Sequence, residues 1–319
     1  MAESVSLDRI LAARERIAPH VVVTPTRHAP DLGLWLKLEN RQRTGSFKLR
    51  GALARLLALD EDAARRGIVA ASAGNHGLGV AYAARLREAK ATIVVPEHAV
   101  EAKVEAIRRE GAQLRFAAGG YAEAEAEGKR LAEEWGAVWV SPYNDPEVIA
   151  GQGTIGLELV EQLGTDRLGH GWEVFIPVSG GGLACGIGLA LKALAPGVRV
   201  VGVQPEACPY MYAHFHGEDP TSVVERPTLA DGLAGAVEEG SITFDLLPPA
   251  LDDVLLVDED EILEAMRQML QAVGEVIEPS AAAAVAAALW HGAAPGRVVI
   301  VSGGNVDRGL LERLQGSEA

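Results

Sequence analysis

Short apolar runs rich in Val and Ile alternate along the chain with longer stretches of Ala, Leu, Glu and Arg. The short runs have the length and β-branched content of buried strands. They predict strands over Trp35–Glu39, Ile68–Ala71, Thr92–Val95, Gln113–Phe116, Val138–Val140, Glu173–Val178, Val198–Val203 and Arg297–Val301. The longer stretches predict helices, among them Ser46–Leu59, Asn75–Arg87, Val100–Glu110, Tyr121–Glu134, Pro146–Leu163 and Leu183–Leu194. Strand alternating with helix is the signature of a parallel α/β sheet. The acidic stretch Asp252–Glu261 reads as a solvated helix start. No fixed-period repeat appears and no shift in composition marks a linker.

With 319 residues, 48% of them apolar, the chain can bury the core of two domains or of one large one. Lys and Arg total 29 against 44 Asp and Glu, a net charge of −15 that repels a phosphate backbone or an anionic leaflet. Nucleic acid and membrane are therefore not expected as partners. Two cysteines, Cys185 and Cys208, cannot build a disulfide framework and lack zinc or redox spacing, which points to a reducing, cytoplasmic setting. MAESVSLDRI has no basic start leading into an apolar stretch, so a secretory signal is not expected. Residues 175–196 are mostly apolar, but Pro177, Ser179 and the glycines at 180–182 interrupt them, and a spanning helix needs about 20 apolar residues in succession.

One pattern recurs three times: a hydrophobic strand runs into Ser, then Ala or Gly, then Gly, in IVAASAGN (68–75), EVFIPVSGGG (173–182) and VVIVSGGN (298–305). Such loops lie at the carboxyl ends of parallel strands, where ligands bind, and small residues let backbone N–H groups approach closely. In the middle loop Ser179, Gly180, Gly181 and Gly182 lead directly into the helix starting near Leu183, a nest of donors at a positive helix end suited to phosphate. A dinucleotide fingerprint fails there, because Cys185 stands where the third glycine belongs and the next strand ends at Gln204. A P-loop fails too, since no Gly-Lys-Ser/Thr follows.

In TGSFKLRGA (44–52), Lys48 falls in the first turn of a predicted helix between Phe47 and Leu49. A helix N-terminus and apolar neighbours disfavour the charged amine, which leaves a nucleophile suited to a Schiff base. With a phosphate cradle elsewhere in the chain, pyridoxal phosphate becomes the natural cofactor.

SFKLRGA (46–52), SAGNHG (72–77), VIAGQGT (148–154), PVSGGGL (177–183), ADG (230–232), IEPSAA (277–282) and SGGNVD (302–307) together resemble, in the same order, the fold-type II pyridoxal-phosphate enzymes. The likeness runs to their serine/threonine dehydratase (threonine deaminase) branch, with serine racemase as a near relative. It implies a tryptophan-synthase-β-like α/β fold: a large domain of residues 1–57 and 146–319, a small mobile domain of 58–145, and the cofactor between them. It implies that Lys48 carries the cofactor and acts as the base, with Phe47 packed near the ring and Asn75 bonding its 3′-oxygen. Ser179, Gly180, Gly181, Gly182 and Leu183 would hold the phosphate, Gly232 and Glu278 would lie near the cofactor, and Ser302 would bond the pyridine nitrogen. Ser72, Ala73, Gly74, Asn75 and His76 would hold the substrate carboxylate. The implied reaction is β-elimination from a hydroxy amino acid, L-threonine or L-serine, to a 2-oxo acid and ammonia, by a homodimer or homotetramer.

Departures from the family narrow this reading. Serine racemases carry a serine where this chain has Ala73, which has no proton to give at the opposite face of Cα. Metal-binding relatives have acids where this chain has Gln204, Cys208 and Tyr210, so no metal is expected, at Glu206 or at the His214-Phe-His216 pair. The chain ends soon after Asp307, so the regulatory domain appended in allosteric relatives is not expected. The alternatives are a serine or hydroxyaspartate racemase-dehydratase, a cysteine-synthase-like β-replacement enzyme, which Lys48-Leu49-Arg50 and Asn75-His76-Gly77 disfavour, and a cofactor-binding regulatory protein without turnover.

Overall fold

A computed structural model describes residues 5–316; residues 1–4, part of the amino-terminal stretch considered above, lie outside it. Among the described residues the strands are β1 (Thr26–Ala29), β2 (Leu34–Leu38), β3 (Ile68–Ala71), β4 (Ala91–Pro96), β5 (Gln113–Ala117), β6 (Val138–Trp139), β7 (Trp172–Pro177), β8 (Arg199–Pro205), β9 (Asp253–Val257) and β10 (Gly296–Val301). The chain divides into two compact units. The first comprises the residues up to Val22 with Lys48–Thr154, and the second Val23–Phe47 with the residues from Ile155 onward.

The first unit is built on a four-stranded parallel sheet, order β5-β4-β3-β6. Its central strands β3 and β4 are apolar almost throughout, as strands covered on both faces must be. The second unit holds a six-stranded sheet, order β1-β2-β10-β7-β8-β9, parallel except for the β1–β2 pair. Phe175, Val201, Val203, Val299 and Val301 form its core with the helix Pro279–Trp290, whose run from Ala281 to Ala288 is fully buried. Small side chains let that helix lie close on the sheet, and Pro279 starts it at a position where its missing N–H costs nothing.

The eight strands expected from the apolar runs all form, with ends shifted by a residue or two. The six named helices form as Lys48–Leu57, Asn75–Leu86, Glu101–Arg109, Tyr121–Trp135, Pro146–Leu163 and Gly182–Leu194. Ser46 and Phe47 stay outside the first of these. The acidic stretch corrects the expectation placed on it, for Asp253–Val257 is strand β9 and the helix begins only at Glu259. Leu255 and Leu256 pair with Val203 and Gln204 of β8, while Asp253 joins Arg199 at 2.6 Å and Asp252 takes the Val200 N–H at 2.7 Å. Asp252 and Asp253 thus edge a strand, while Asp258 caps the helix and Glu259, Asp260 and Glu261 form the acidic helix start that was expected. The segment 58–145, expected as a small domain, lies inside the first unit, which also takes in the Lys48–Leu57 helix. No described helix is long and apolar enough to cross a membrane.

Candidate active site

In the first unit Lys48 is the opening residue of a helix whose next residues, Leu49 to Ala54, are all buried. The packing around it is unusually close. A β-carbon on Gly51 would come within 2.8 Å of the Val148 carbonyl, and one on Gly151 within 2.6 Å of the Arg50 carbonyl. The glycines of SFKLRGA and VIAGQGT therefore let these two helices touch backbone to backbone. Arg50 is fully buried between them and donates to Thr154 Oγ1 at 3.2 Å. From the other side a β-carbon on Gly79 would meet the Lys48 carbonyl at 3.3 Å, so the helix Asn75–Leu86 rests on the backbone of the lysine itself. The Lys48 amine donates to the Pro142 carbonyl at 3.3 Å.

The loop between β3 and helix Asn75–Leu86 contains Ser72, Ala73 and Gly74. Ser72 Oγ accepts the Gly74 N–H at 3.0 Å, which closes a turn and aims the following N–H groups out of the helix start. Gly77 belongs to the motif for a packing reason, since a β-carbon there would collide with the Ser72 carbonyl. Residues 72–75 are only half-buried, whereas His76 is buried and its Nε2 lies 2.9 Å from the Val140 carbonyl. A carbonyl can only accept, so Nε2 carries the hydrogen. Burial pushes this imidazole down to about 3, the nearby Lys48 charge acts in the same direction, and the Val140 bond opposes both. His76 is therefore neutral, and its side chain is turned to Val140; what it offers a carboxylate is its backbone N–H.

In the second unit β7 ends at Pro177, and the chain turns through Ser179 and Gly180 into the helix Gly182–Leu194. Gly181 sits at φ +87°, and a β-carbon there would meet Met211 Cε at 2.7 Å and Thr243 Cβ at 3.0 Å. No side chain caps this helix, although Gly180, Gly181, Gly182 and Leu183 are all buried. First-turn N–H groups have no partner within a helix. A buried, uncapped start of this kind fits an anion. β10 is the parallel neighbour of β7, so the loop holding Ser302 leaves the sheet from the same edge.

That loop is laced to the residues just before the lysine. The Phe47 N–H donates to the Ser302 carbonyl at 3.0 Å, Ser46 bridges Gly303, Gly304 N–H reaches the Gly45 carbonyl at 3.0 Å, and Asn305 Nδ2 reaches that of Thr44 at 2.9 Å. The hydroxyls of Thr44 and Ser46 are buried with no hydrogen-bond partner. Ser302 is buried, and the Glu278 carboxylate lies against its neighbour, 2.6 Å from where a Gly303 β-carbon would stand. Gly232, exposed on a short turn, approaches Ser280 in the same way, at 2.7 Å from Oγ. Phe47, Gly232, Glu278 and Ser302 thus share one connected neighbourhood of the second unit, while Lys48 and Ser72–His76 share one in the first.

These groups fit pyridoxal phosphate half by half: an amine at a helix start, and an uncapped buried helix end with glycines where a side chain would not fit. Sequence reasoning missed Pro142, Arg50 and Gln152, the last of which accepts the Gly51 N–H at 3.2 Å. A backbone carbonyl leaves no trace in a sequence, but the paired glycines at 51 and 151 were readable as a close helix crossing. At the residues considered for a metal, Gln204 accepts the Tyr212 N–H at 2.7 Å and Tyr210 donates to Glu225 at 3.0 Å. His214 and His216 turn to the carbonyls of Phe244 and Tyr212. No group of three or more His, Cys, Asp or Glu among the described residues is placed to hold a metal ion. Both cysteines are free, and burial pushes both thiols up, that of Cys208 to about 12.

A family model described as pyridoxal-phosphate dependent enzyme matches residues 17–304. An L-threonine ammonia-lyase of Thermotoga maritima is 42% identical over 283 residues, spanning 88% of this chain and 69% of the relative. Among solved structures, a threonine deaminase of T.th. is similar with a TM-score of 0.87 and 39% identity, covering 95% of this chain and 99% of that one. Maize serine racemase is similar with a TM-score of 0.88 and 34% identity, covering 98% and 97%. With the family model spanning most of its length and its signature glycines explained by packing, the chain belongs to the pyridoxal-phosphate dependent enzymes.

Proposed function

We propose that the protein is an ammonia-lyase that dehydrates and deaminates a hydroxy amino acid, L-threonine or L-serine, to a 2-oxo acid and ammonia. The observation that carries this reading is the joining of Lys48 to the Ser72–His76 loop in one unit, with Ala73 at the centre of that loop. The relatives named threonine ammonia-lyase and threonine deaminase support it. Bound pyridoxal phosphate supplies the electron sink that makes a Cα proton removable. Its phosphate would be held by Ser179 through Leu183, its 3′-oxygen by Asn75 and its pyridine nitrogen by Ser302, with Phe47, Gly232 and Glu278 around the ring.

Within the Ser72–His76 loop, the N–H groups that follow Gly74 at the helix start hold the substrate carboxylate and so fix which Cα bond faces Lys48. The Lys48 amine, freed by the incoming amino group, takes the Cα proton at Nζ. Ser302, a neutral partner, would leave the pyridine nitrogen less electron-withdrawing than a carboxylate partner would, which suits loss of the β-hydroxyl over lasting charge at Cα. Water then releases ammonia from the enamine product. Ala73 leaves the opposite face of Cα without a proton donor, which separates this reading from the racemase suggested by the maize relative. In this reading no divalent ion takes part, residues 58–145 act as the small mobile domain, and the enzyme is a homodimer or homotetramer. Its free, buried cysteines suit the cytoplasm. Incubation with L-threonine and L-serine, read as 2-oxo acid formed and as D-isomer on a chiral column, tests it: abundant 2-oxo acid with little D-isomer is expected, and D-serine as main product would reassign the protein.

A further inference from the structure

The end of β6 draws in two side chains from different elements of the first unit. Lys48 Nζ donates to the Pro142 carbonyl at 3.3 Å, and His76 Nε2 donates to the Val140 carbonyl at 2.9 Å. Between them Ser141, 3% exposed, folds the backbone by accepting the Asn144 N–H at 3.0 Å and the Tyr143 N–H at 3.4 Å. Beyond the turn, Asp145 accepts the Glu147 and Val148 N–H groups at 2.8 and 3.1 Å and so ties it to the helix Pro146–Leu163, which packs on the helix that Lys48 opens.

We infer that the turn Val140–Asn144 is a seat for the unlinked Lys48 amine, with Ser141 and His76 as its positioning residues. The inference rests on the reading of Lys48 as cofactor carrier and base. That reading requires the amine to leave one bond and act at another atom, and a freed lysine has a long flexible stem with which to wander. A carbonyl restrains it through one N–H and leaves the lone pair available. A carboxylate in that place would hold the amine as ammonium and so oppose its use as a base. The neutral His76 pins the start of the turn without adding a second positive charge beside the lysine.

Ser141→Ala removes the fold of the turn, Ser141→Thr keeps the hydroxyl, and Pro142→Gly keeps the carbonyl but loosens its backbone. Whole protein stripped of cofactor is mixed with pyridoxal phosphate, and formation of the lysine Schiff base, with loss of water, is followed by visible absorbance. Ser141→Ala and Pro142→Gly should slow it about tenfold and lower kcat for 2-oxo acid about tenfold with KM within about twofold, while Ser141→Thr restores both. Reconstitution and kcat within twofold of wild type in both Ser141→Ala and Pro142→Gly would overturn the seat. If one variant does not fold, the other decides alone. A wild type that releases no 2-oxo acid but shows the reconstitution pattern would overturn the proposed function and leave the seat standing.

Discussion

The loop opening helix Asn75–Leu86 and the loop opening helix Gly182–Leu194 both follow a parallel strand and are both built of small residues, yet they are finished differently. In the first, Ser72 folds the turn through its own hydroxyl and residues 72–75 stay half-exposed. In the second, no side chain caps the helix and Gly180 to Leu183 are all buried. A half-exposed loop with an internal tie can stay ordered when its ligand is gone, as a site for a substrate that comes and goes must. A buried, untied helix end has unmet donors unless an anion remains there. The contrast fits the roles proposed for the two loops, a reacting half beside Lys48 and a holding half at the glycine loop.

The largest effect expected is at the reacting half. Lys48→Ala removes cofactor carrier and base together, so 2-oxo acid formation should fall by at least about 10³-fold while the melting temperature without cofactor stays near wild type. Activity within tenfold of wild type would break the division of labour.

His76 gives the next effect, on stability. Its folded pKa is about 3 against 6.5 for the free side chain, so its contribution is complete above pH 6.5 and is lost as the pH falls from there toward 3. Stability should drop by up to about 1.4 kcal/mol per pH unit across that window on account of this residue. Unfolding midpoints of wild type and His76→Asn, measured from pH 7 to pH 4, should therefore converge on the acid side; parallel curves would contradict the buried neutral imidazole.

Gly181→Ala probes the holding half. At φ +87° with Met211 in the way, the substitution costs about 1–3 kcal/mol locally and should weaken cofactor retention about tenfold or more, seen as a higher pyridoxal phosphate concentration for half-saturation. At saturating cofactor kcat should move little; a kcat loss with unchanged half-saturation would mean that the loop reacts instead of holding. Ala73→Ser gives the smallest effect. It adds one hydroxyl on a half-exposed loop, so the fold should survive and elimination should change by no more than a few-fold, with D-serine rising from near zero to a measurable fraction on a chiral column.

Much of this architecture was legible because its signals are local. Runs such as those of β3 and β7 have no competing interpretation, and Gly-rich loops after strands carry their meaning in residue type. β9 was hidden because its Val-Leu-Leu-Val is framed by acids that belong to edge pairs with Arg199 and Lys192, partners remote in sequence. The helix Pro279–Trp290 shows no apolar stripe because it is buried on every side, so its period is erased. At the candidate site, Lys48 and the glycine loop Ser179–Leu183 stood out, whereas the Pro142 carbonyl and the Gly79 contact behind the lysine arise only once distant segments meet.

Borohydride reduction of the yellow holoprotein, followed by peptide mapping, tests most directly whether the reacting half is where it has been placed. The reduced cofactor should be recovered on the peptide containing Lys48 and should be absent from Lys48→Ala. Recovery on Lys37, which lies buried against Glu158, or on the exposed Lys90 would contradict the assignment of Lys48 and with it the division between the two loops.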